Sequence, residues 1–445
     1  MKPMRNTVWL GALALIAVAP FAHAQNTAKP FFFRDGDRAV FLGDSITQQS
    51  RYSTLIESYV LSRFPKWNIS FRNTGWDGDR MSMPSRGNLE GGFARDIAPL
   101  RPTAATVDYG MNDARGGDAM YESYLKNARA LTGKLKDFGS RVALVSPSPE
   151  EKYEAGMPAG SSYNNMLLKY SDGLQQVARE TDVPYVDQIR PMIATIEAGR
   201  RASVLGATGD PRLIPDGVHP NWAGHLVMAT HILKGLNAPA LVSSVEINAA
   251  EGKRYKAKTQ NATVTPLEVR SGADSAATVP LMFTRLDNAL PWPIHSDTKL
   301  AQSIPGFTPL QDLSRYELKI ANLVAPRYAI RIDDIAVGTW TKEELAAGIN
   351  LSQAPGPIHD QAQKLLQKIV EKNRLYYNRW RNVQLFRVPA WLQTPESEPA
   401  RAAELARLDA QIAALEAEIN ELRKPVAHIW TVAPISTLPL ATPSP

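Results

Sequence analysis

The chain has 445 residues, of which 44% are hydrophobic and 21% are charged, a composition typical of a folded protein with two or three domains. It contains no cysteine, which excludes a disulfide framework, a thiolate metal or iron–sulfur centre, a cysteine nucleophile and a lipid anchor on an N-terminal cysteine. Its 50 basic and 44 acidic residues give a net charge of only +6 and are spread along the chain, so we expect no nucleic-acid partner.

Residues 1–24 have the features of a secretory signal peptide. Lys2 and Arg5 precede an apolar run from Val8 to Ala19, and Ala22-His23-Ala24 fits the small-residue pattern of a cleavage site. An N-terminal membrane anchor is the less favoured alternative, because the apolar run is short for a bilayer span. We therefore expect cleavage near Ala24, a periplasmic or secreted protein, and no stable membrane span after the signal is removed.

Residues 25–238 are predicted to form an α/β domain. From residue 38 to about residue 237, short apolar segments alternate with amphipathic helical patterns, which is typical of a parallel sheet with helices on both faces. The predicted strands are Ala39–Leu42, Trp67–Arg72, Ala104–Tyr109, Arg141–Val145 and Val183–Val186. Helices are predicted around Tyr52–Val60 and over Tyr121–Phe138, Tyr163–Glu180 and Asn221–Leu236.

The pattern changes near residue 239. Residues 239–352 are rich in Val, Thr, Ile and Tyr and contain several turn signals, so they are predicted to form a smaller, mainly β accessory domain. Within it, Tyr316–Leu323 and Tyr328–Ile332 are predicted to pair as a β-hairpin across a proline-containing turn. Such a domain either buttresses the first domain or binds carbohydrate on its own.

Residues 353–433 are predicted to be helical, with one helix from about His359 to Trp380 and another from Ala402 to Lys424. The second helix has apolar residues at heptad spacing: Leu405, Leu408, Ile412, Leu415, Ile419 and Leu422. This seam favours a helical hairpin within the chain, although the 402–424 helix could instead pair two chains in an oligomer. Residues 434–445, rich in Pro, Ser and Thr, are predicted to be a disordered tail.

Polar residues follow the predicted strands at the edge of the sheet where ligands bind in α/β proteins. Ser45 follows the first strand, within Gly43-Asp44-Ser45-Ile46. The second strand is followed by Gly78-Asp79, and the third is followed by Gly110-Met111-Asn112-Asp113. Asp216 and His219 precede the last helix. Alone, Gly-Asp-Ser is equally typical of a helix cap. Together, the segments supply what ester hydrolysis needs: a nucleophilic oxygen, a base, a carboxylate that orients the base, and donors for an oxyanion.

In this order, these segments resemble the four sequence blocks of the SGNH, or GDSL-type, hydrolase family, over roughly residues 36 to 237. The resemblance implies a flavodoxin-like three-layer fold with five parallel strands, no metal or other cofactor, and a serine ester hydrolase that works through an acyl-enzyme. It implies that Ser45 is the nucleophile, His219 its general base and Asp216 the carboxylate that holds the imidazole.

The same resemblance implies that the backbone N–H groups of Ser45 and Gly78 and the side-chain amide of Asn112 form the oxyanion hole. Gly75 is an alternative to Gly78, which is favoured because an aspartate follows it. Two nearby carboxylates, Asp44 and Asp113, are expected to fasten loops through backbone N–H groups.

The substrate is less sharply indicated, since the family includes lipases, thioesterases, arylesterases and carbohydrate deacetylases. Candidate substrate contacts adjoin the blocks: Trp76, Tyr109, Met111 and Trp222. Aromatic faces suit sugar rings, but these residues equally suit the core. The preferred hypothesis is removal of acetyl or other small acyl groups from a carbohydrate; the alternatives are a general carboxylesterase or lysophospholipase acting on another small ester, and a non-catalytic cell-surface binding protein.

Overall fold

In the computed structural model, which describes residues 30–206, 211–249, 257–266 and 280–435, the first sheet has five parallel strands. The strands are β1 (Arg38–Gly43), β2 (Ser70–Asn73), β3 (Ala104–Asp108), β4 (Arg141–Val145) and β5 (Tyr185–Val186), in the order β2-β1-β3-β4-β5. The predicted α/β fold is confirmed. The second strand starts later than predicted because Trp67 stacks on Phe64, with ring centres 3.8 Å apart, and does not pair with β1.

Helices surround this sheet. They are α1 (Ser45–Gln48), α2 (Arg51–Arg63), α3 (Leu89–Gly92), α4 (Asp118–Asp137), α5 (Tyr163–Glu180), α6 (Ile189–Arg201) and α7 (Trp222–Gly235). The α7 helix begins at a polar cap, because the side chain of Asn221 accepts the Gly224 N–H. The sequence analysis did not predict α6, whose buried residues Ile189, Met192 and Ile196 follow helical spacing.

Two further sheets lie in the second half of the chain. Their strands are β6 (Leu241–Asn248), β7 (Ala257–Gln260), β8 (Ala262–Pro266), β9 (Leu281–Asp287), β10 (Arg315–Ala321), β11 (Arg327–Ile332), β12 (Ile335–Thr341), β13 (Ile349–Asn350) and β14 (His428–Pro434). One sheet has the order β13-β10-β6-β7 and the other β12-β11-β14-β9-β8. Three short helices accompany them: α8 (Lys299–Gln302), α9 (Pro309–Leu313) and α10 (Lys342–Ala347).

The predicted hairpin between Tyr316–Leu323 and Tyr328–Ile332 is wrong. Strand β10 pairs with β6 and β13 in one sheet, whereas β11 pairs with β12 and β14 in the other. The tight turn lies instead between β11 and β12, where Asp333 and Asp334 have φ values of 46° and 62°. Aspartate is among the few residues that tolerate this left-handed conformation.

The last helices are α11 (Pro357–Tyr377) and α12 (Ser397–Leu422), joined through a π-helical segment over Asn378–Gln384. The central residues of the predicted seam, Leu408, Ile412, Leu415 and Ile419, are buried, and α12 packs along α11 within the chain. Pairing of two chains through this helix stays a prediction. The prediction of a helical region through residue 433 is wrong at its end, because β14 adds to the sheet between β9 and β11.

The described residues from Phe31 onward belong to one compact unit. The predicted signal peptide and residues 436–445 of the predicted tail lie outside the described residues. Within the described ranges, no helix combines the length and the apolar character needed to cross a membrane.

Candidate active site

Ser45 is the first residue of α1, directly beyond the carboxyl end of β1. The chain turns sharply there: a Cβ on Gly43 would lie 2.7 Å from the Asp108 carbonyl oxygen, so only glycine fits. The side chain of Asp44 caps the new helix by accepting the Ile46 N–H at 3.0 Å. Because the first N–H groups of a helix have no partner within it, the Ser45 N–H is open at this end of α1.

The structure brings the three predicted triad residues into one chain of hydrogen bonds. His219 Nε2 lies 2.9 Å from Ser45 Oγ, and His219 Nδ1 lies 2.8 Å from Asp216 Oδ2. The other carboxylate oxygen of Asp216 accepts the backbone N–H groups of Val218 at 2.9 Å and of His219 at 2.7 Å. The short 216–219 loop therefore folds the carboxylate back onto the imidazole, and the opposite ring nitrogen faces the serine.

Asp216 is held in its charged form. Partial burial raises the pKa of its carboxyl group, but the hydrogen bonds from the backbone and ring of His219 and from the Val218 N–H outweigh it, so the net pKa lies below the usual value. A charged Asp216 favours the Nδ1–H tautomer of His219, which leaves Nε2 free to accept the serine proton. The arrangement is that of a nucleophile, a base and an orienting carboxylate.

Gly78 lies in the loop after β2 with φ at +72°, a conformation that glycine adopts without strain. The neighbouring N–H groups are occupied, since that of Asp77 donates to Gln48 Oε1 at 2.8 Å and that of Asp79 donates to the Trp76 carbonyl at 3.0 Å. The Gly78 N–H has no acceptor among the described residues. It is therefore available to a ligand.

Gly75, the alternative, has a different role. Its N–H donates to Asn73 Oδ1 at 2.8 Å, and a Cβ there would lie 2.3 Å from the backbone nitrogen of Gln48. Gly75 thus lets the loop pack closely on α1, while Gly78 keeps its donor free.

Asn112 follows β3 and joins the site through the same loop. Its amide nitrogen donates to the Asp79 carbonyl at 2.9 Å, which fixes the side chain. A primary amide has two N–H donors, so one remains for a ligand. Ser45, Gly78 and Asn112 thus each carry a free donor at the end of one of three adjacent strands.

Two carboxylates beneath these loops are buried, and burial raises the pKa of Asp44 and of Asp113 to about 7 each. Both Asp113 oxygens face the Met81 N–H, at 3.1 and 3.2 Å. Both residues therefore fasten backbone, as the sequence analysis expected. Within the described ranges, no three His, Asp or Glu side chains are close enough together to hold a metal ion.

The four predicted substrate contacts divide into two pairs. Tyr109 and Met111 are only 1% and 2% exposed, so they belong to the core and offer no surface to a ligand in this structure. Trp76 and Trp222 are half-buried, and residues from the second half of the chain contact both of them. Trp380 meets Trp76 edge to face, and His295 stacks on Trp222 with ring centres 4.1 Å apart.

Sequence reasoning missed Arg381, in the π-helical segment after α11. Its guanidinium lies 3.5 Å from the centre of the Trp76 ring and donates to Gln48 Oε1 at 2.9 Å, the oxygen that also accepts the Asp77 N–H. Arg381 thus joins α1 to the loop that carries Gly78. A single arginine in a helical region, 162 positions after His219, carries no sequence signal that could have revealed this contact.

A cavity of about 270 Å³ lies beside this site. Its lining includes Gln48 and Gln49 at the end of α1, Trp222 at the start of α7, and Asn373 and Tyr377 from α11. Gln48, which lines it, lies three residues after Ser45, and α11 contributes Val370, Asn373, Arg374 and Tyr377 to its wall. The second half of the chain therefore supplies one wall of this cavity.

Residues 41–227 match the family model described as the GDSL-like lipase/acylhydrolase family. Among solved structures, the chain is similar to BT4096, a gut microbial diltiazem-metabolizing enzyme, with 23% identity and a TM-score of 0.73 over 92% of this chain and 99% of that one. A catalytic mutant of Axe2, an acetylxylan esterase from Geobacillus stearothermophilus, matches with 21% identity and a TM-score of 0.37 over 47% of this chain and 97% of that one. The comparison with curated proteins gave no match. The first likeness shows that the fold continues through the second half of the chain.

Proposed function

We propose that the chain, whose residues 41–227 match the GDSL-like lipase/acylhydrolase family, is an exported serine esterase. It would remove acetyl or other small acyl groups from a carbohydrate. The observation that carries the proposal is the hydrogen-bonded chain from Ser45 through His219 to Asp216, with 2.9 Å between Ser45 Oγ and His219 Nε2. It gives an oxygen nucleophile a base already within proton-transfer distance.

In the first half of the reaction, His219 Nε2 takes the hydroxyl proton as Ser45 Oγ attacks the ester carbonyl carbon. The bond between that carbon and the alcohol oxygen then breaks, and His219 returns the proton to the leaving alcohol. In the second half, water attacks the acyl-serine, again through His219, and releases the acid. Asp216 orients the imidazole and stabilises its charged form in both halves.

The negative charge that forms on the carbonyl oxygen meets the free donors at the strand ends. These are the backbone N–H groups of Ser45 and Gly78 and the second amide N–H of Asn112. Loss of one such donor typically lowers kcat by about a hundredfold to a thousandfold.

The cavity beside α1 supports a sugar as the alcohol. Gln48, Gln49 and Asn373 bring polar groups to it, while Trp222 and Tyr377 contribute aromatic surface. The accessible lining is mainly apolar, which suits the C–H face of a sugar ring, and its few polar groups could meet hydroxyl groups at the rim of the ring. Export rests on the predicted signal peptide, and a mature N terminus near Gln25 on protein recovered outside the cytoplasm would support it.

The proposal is tested by measuring acetate release from acetylated polysaccharides beside hydrolysis of p-nitrophenyl esters of rising acyl length. We expect the wild type to release acetate, to prefer the shortest acyl groups, and to lose about a thousandfold or more of its kcat in Ser45→Ala. Ser303→Ala, an exposed serine at the end of α8, is the matched control and should keep full activity.

Each failure has its own meaning. If the wild type and Ser45→Ala are equally inert on every ester, the assigned nucleophile is wrong. If long acyl chains are preferred, or acetate is released from small esters only, the carbohydrate proposal fails and a general carboxylesterase or lysophospholipase takes its place.

A further inference from the structure

A second and larger cavity, of about 660 Å³, continues from the first along α11. Val370 lines both cavities, and Trp222 of the first stacks on His295 of the second with its ring plane only 1° from parallel. The two spaces are therefore neighbours, and α11 and the segment around residues 294–302 both line the larger one. A volume of 660 Å³ lies within the range of about 300–1,000 Å³ that is usual for ligand sites.

Three glutamines of this larger cavity are already fixed by their amide nitrogens. Gln302 donates to Thr298 Oγ1 at 3.1 Å, Gln353 to the Ser352 carbonyl at 3.1 Å, and Gln363 to the Ile294 carbonyl at 3.2 Å. No donor to their side-chain oxygens is found among the described residues. Three carbonyl oxygens are therefore held in place and have room for hydrogen bonds from a ligand.

The smaller cavity has a complementary set of polar groups. The oxygens of Gln48 and Gln49 accept from Asp77 N–H at 2.8 Å and from His225 Nε2 at 2.9 Å, which leaves their amide N–H groups as donors. Asn373 uses its amide nitrogen on Thr54 and Glu57, so its oxygen remains as an acceptor. The smaller cavity thus has amide donors and one free acceptor, and the larger one has the glutamine oxygens as acceptors and Lys299 as a donor.

These groups select the chemical class of the ligand. A phosphate or carboxylate could accept from Lys299, which also lines this cavity, but it has no hydrogen to give to the three glutamine oxygens. An acyl chain would bury those oxygens without hydrogen bonds, which is unfavourable for each of them. A hydroxyl group both donates and accepts, so a chain of sugar rings satisfies both cavities.

We propose that the larger cavity binds further sugar rings of an oligosaccharide or polysaccharide whose acylated ring lies at Ser45. This inference rests on the proposed function and gives the second half of the chain a task in it, since α11 and the 294–302 segment build the cavity. Because the polar groups are already held by other contacts, little side-chain freedom is lost on binding. Substrate length, rather than the ester alone, then determines the rate.

The test uses acetylated oligosaccharides of one to six sugar rings prepared from one polysaccharide. With the full-length mature protein, kcat/KM should rise about tenfold or more from the shortest to the longest. The double variant Gln363→Leu, Gln367→Leu removes an oriented oxygen and an exposed polar group from the cavity wall. It should lower kcat/KM for the longest oligosaccharide about tenfold more than that for p-nitrophenyl acetate.

Gln361→Leu is the matched control, because Gln361 is on the same helix but donates to the Leu422 and Lys424 carbonyls at 2.8 and 2.7 Å. It should leave the length dependence unchanged. Gln367→Leu alone keeps the test informative if Gln363→Leu destabilises the fold, since Gln367 is exposed and makes no hydrogen bond among the described residues.

A second measurement separates this inference from the proposed function. Calorimetry with Ser45→Ala and acetyl-free oligosaccharides should show affinity that rises with length and falls in the Gln363→Leu, Gln367→Leu background. If polysaccharide acetate is released but neither rate nor affinity depends on length, the sugar-chain site is wrong while the esterase proposal holds. If binding depends on length but no ester is hydrolysed, the site stands and the proposed reaction fails.

Discussion

The first and second halves of the chain contribute to the site in different ways. The parallel sheet brings Ser45, Gly78, Asn112 and His219 to one edge through the ordinary geometry of strand ends. The second half has no such regular arrangement and reaches the site by packing against α2 and against the loop after β2. The comparison teaches that chemistry carried by strand ends leaves sequence motifs, whereas support built from tertiary packing does not.

The α2 helix shows this contrast most clearly. Its residues from Tyr52 to Arg63 are all buried, the polar ones included. Arg63 donates to the carbonyls of Pro239, Leu241 and Leu313 at 2.7, 2.7 and 2.8 Å, and Trp292 donates to the Leu55 carbonyl at 2.9 Å. A helix that is amphipathic in sequence thus has its polar face covered by the second half of the chain.

The largest effect is expected when Lys372, which joins the second half of the chain to α2, is replaced. This α11 side chain pairs with Glu57 of α2, and each side chain is only 3% exposed. Lys372→Met should lower the free energy of unfolding by about 3–5 kcal/mol, because it leaves a buried carboxylate without its partner. Urea unfolding followed by circular dichroism measures this loss.

Two variants define the cause of that loss. Adding Glu57→Gln to Lys372→Met should recover most of the stability, because the buried charge is gone and the glutamine oxygen still accepts from Asn373. Lys424→Met removes an exposed partner of Glu421 and should cost less than about 1 kcal/mol. Equal losses in Lys372→Met and Lys424→Met would show that α11 is not fastened to α2 through this pair.

The fold of the first half, and the meeting of its polar residues at one edge of the sheet, could be predicted because both depend on local patterns. Alternating strands and helices predict a parallel sheet, and polar residues at strand ends meet at one edge. The α6 helix was missed because its apolar residues follow directly after the two-residue strand β5, without a clear boundary between the two periods. Tyr109 and Met111 adjoin the motifs in sequence, but they lie in the core.

The second half could be predicted only in outline. Strand propensity identified β10 and β11 but could not show that they join different sheets, since that choice depends on distant partners such as β6 and β14. The contacts of Arg381 and Gln363 could not be predicted either, because their partners, Gln48 and the Ile294 carbonyl, lie 333 and 69 residues away. Their roles follow from packing rather than from spacing.

A smaller effect is expected in the first half of the chain, where Asp44 makes the stability depend on pH. Because burial raises the pKa of Asp44 from 3.8 to about 7, the unfolded chain releases this proton at lower pH than the folded protein does. Asp44 therefore lowers stability progressively as the pH rises from about 4 to 7. Asp44→Asn keeps an oxygen for the Ile46 N–H but cannot ionise, so its stability relative to wild type should rise by about 2 kcal/mol between pH 5 and pH 7.

Denaturant unfolding at the two pH values measures this difference. Asp137→Asn, an exposed residue at the end of α4, is the control, since its carboxylate stays in water in both states. A stability difference between Asp44→Asn and wild type that does not change with pH would mean that Asp44 is already charged in the folded protein.

The smallest expected effect concerns Arg381, through which the second half of the chain contacts Gln48 and Trp76 beside the site. Arg381→Ala should lower kcat about tenfold, equivalent to about 1.4 kcal/mol, because Gln48 and Trp76 lose the contact that fixes the loop carrying Gly78. KM for p-nitrophenyl acetate should change little, since this small ester does not extend along α11. Arg381→Lys should restore only part of the rate, because a lysine cannot both stack its head group on Trp76 and donate in the same fixed plane.

The matched control is Arg379→Ala, two residues earlier in the same segment, where the guanidinium pairs with Asp409 of α12. This variant should lower the melting temperature slightly and leave kcat unchanged, whereas Arg381→Ala should lower kcat at a nearly unchanged melting temperature. If both variants lower kcat only in proportion to lost stability, Arg381 is a structural contact and does not position the loop that carries Gly78. The separation of kcat from stability thus decides whether the second half of the chain takes part in the reaction or only supports the fold that performs it.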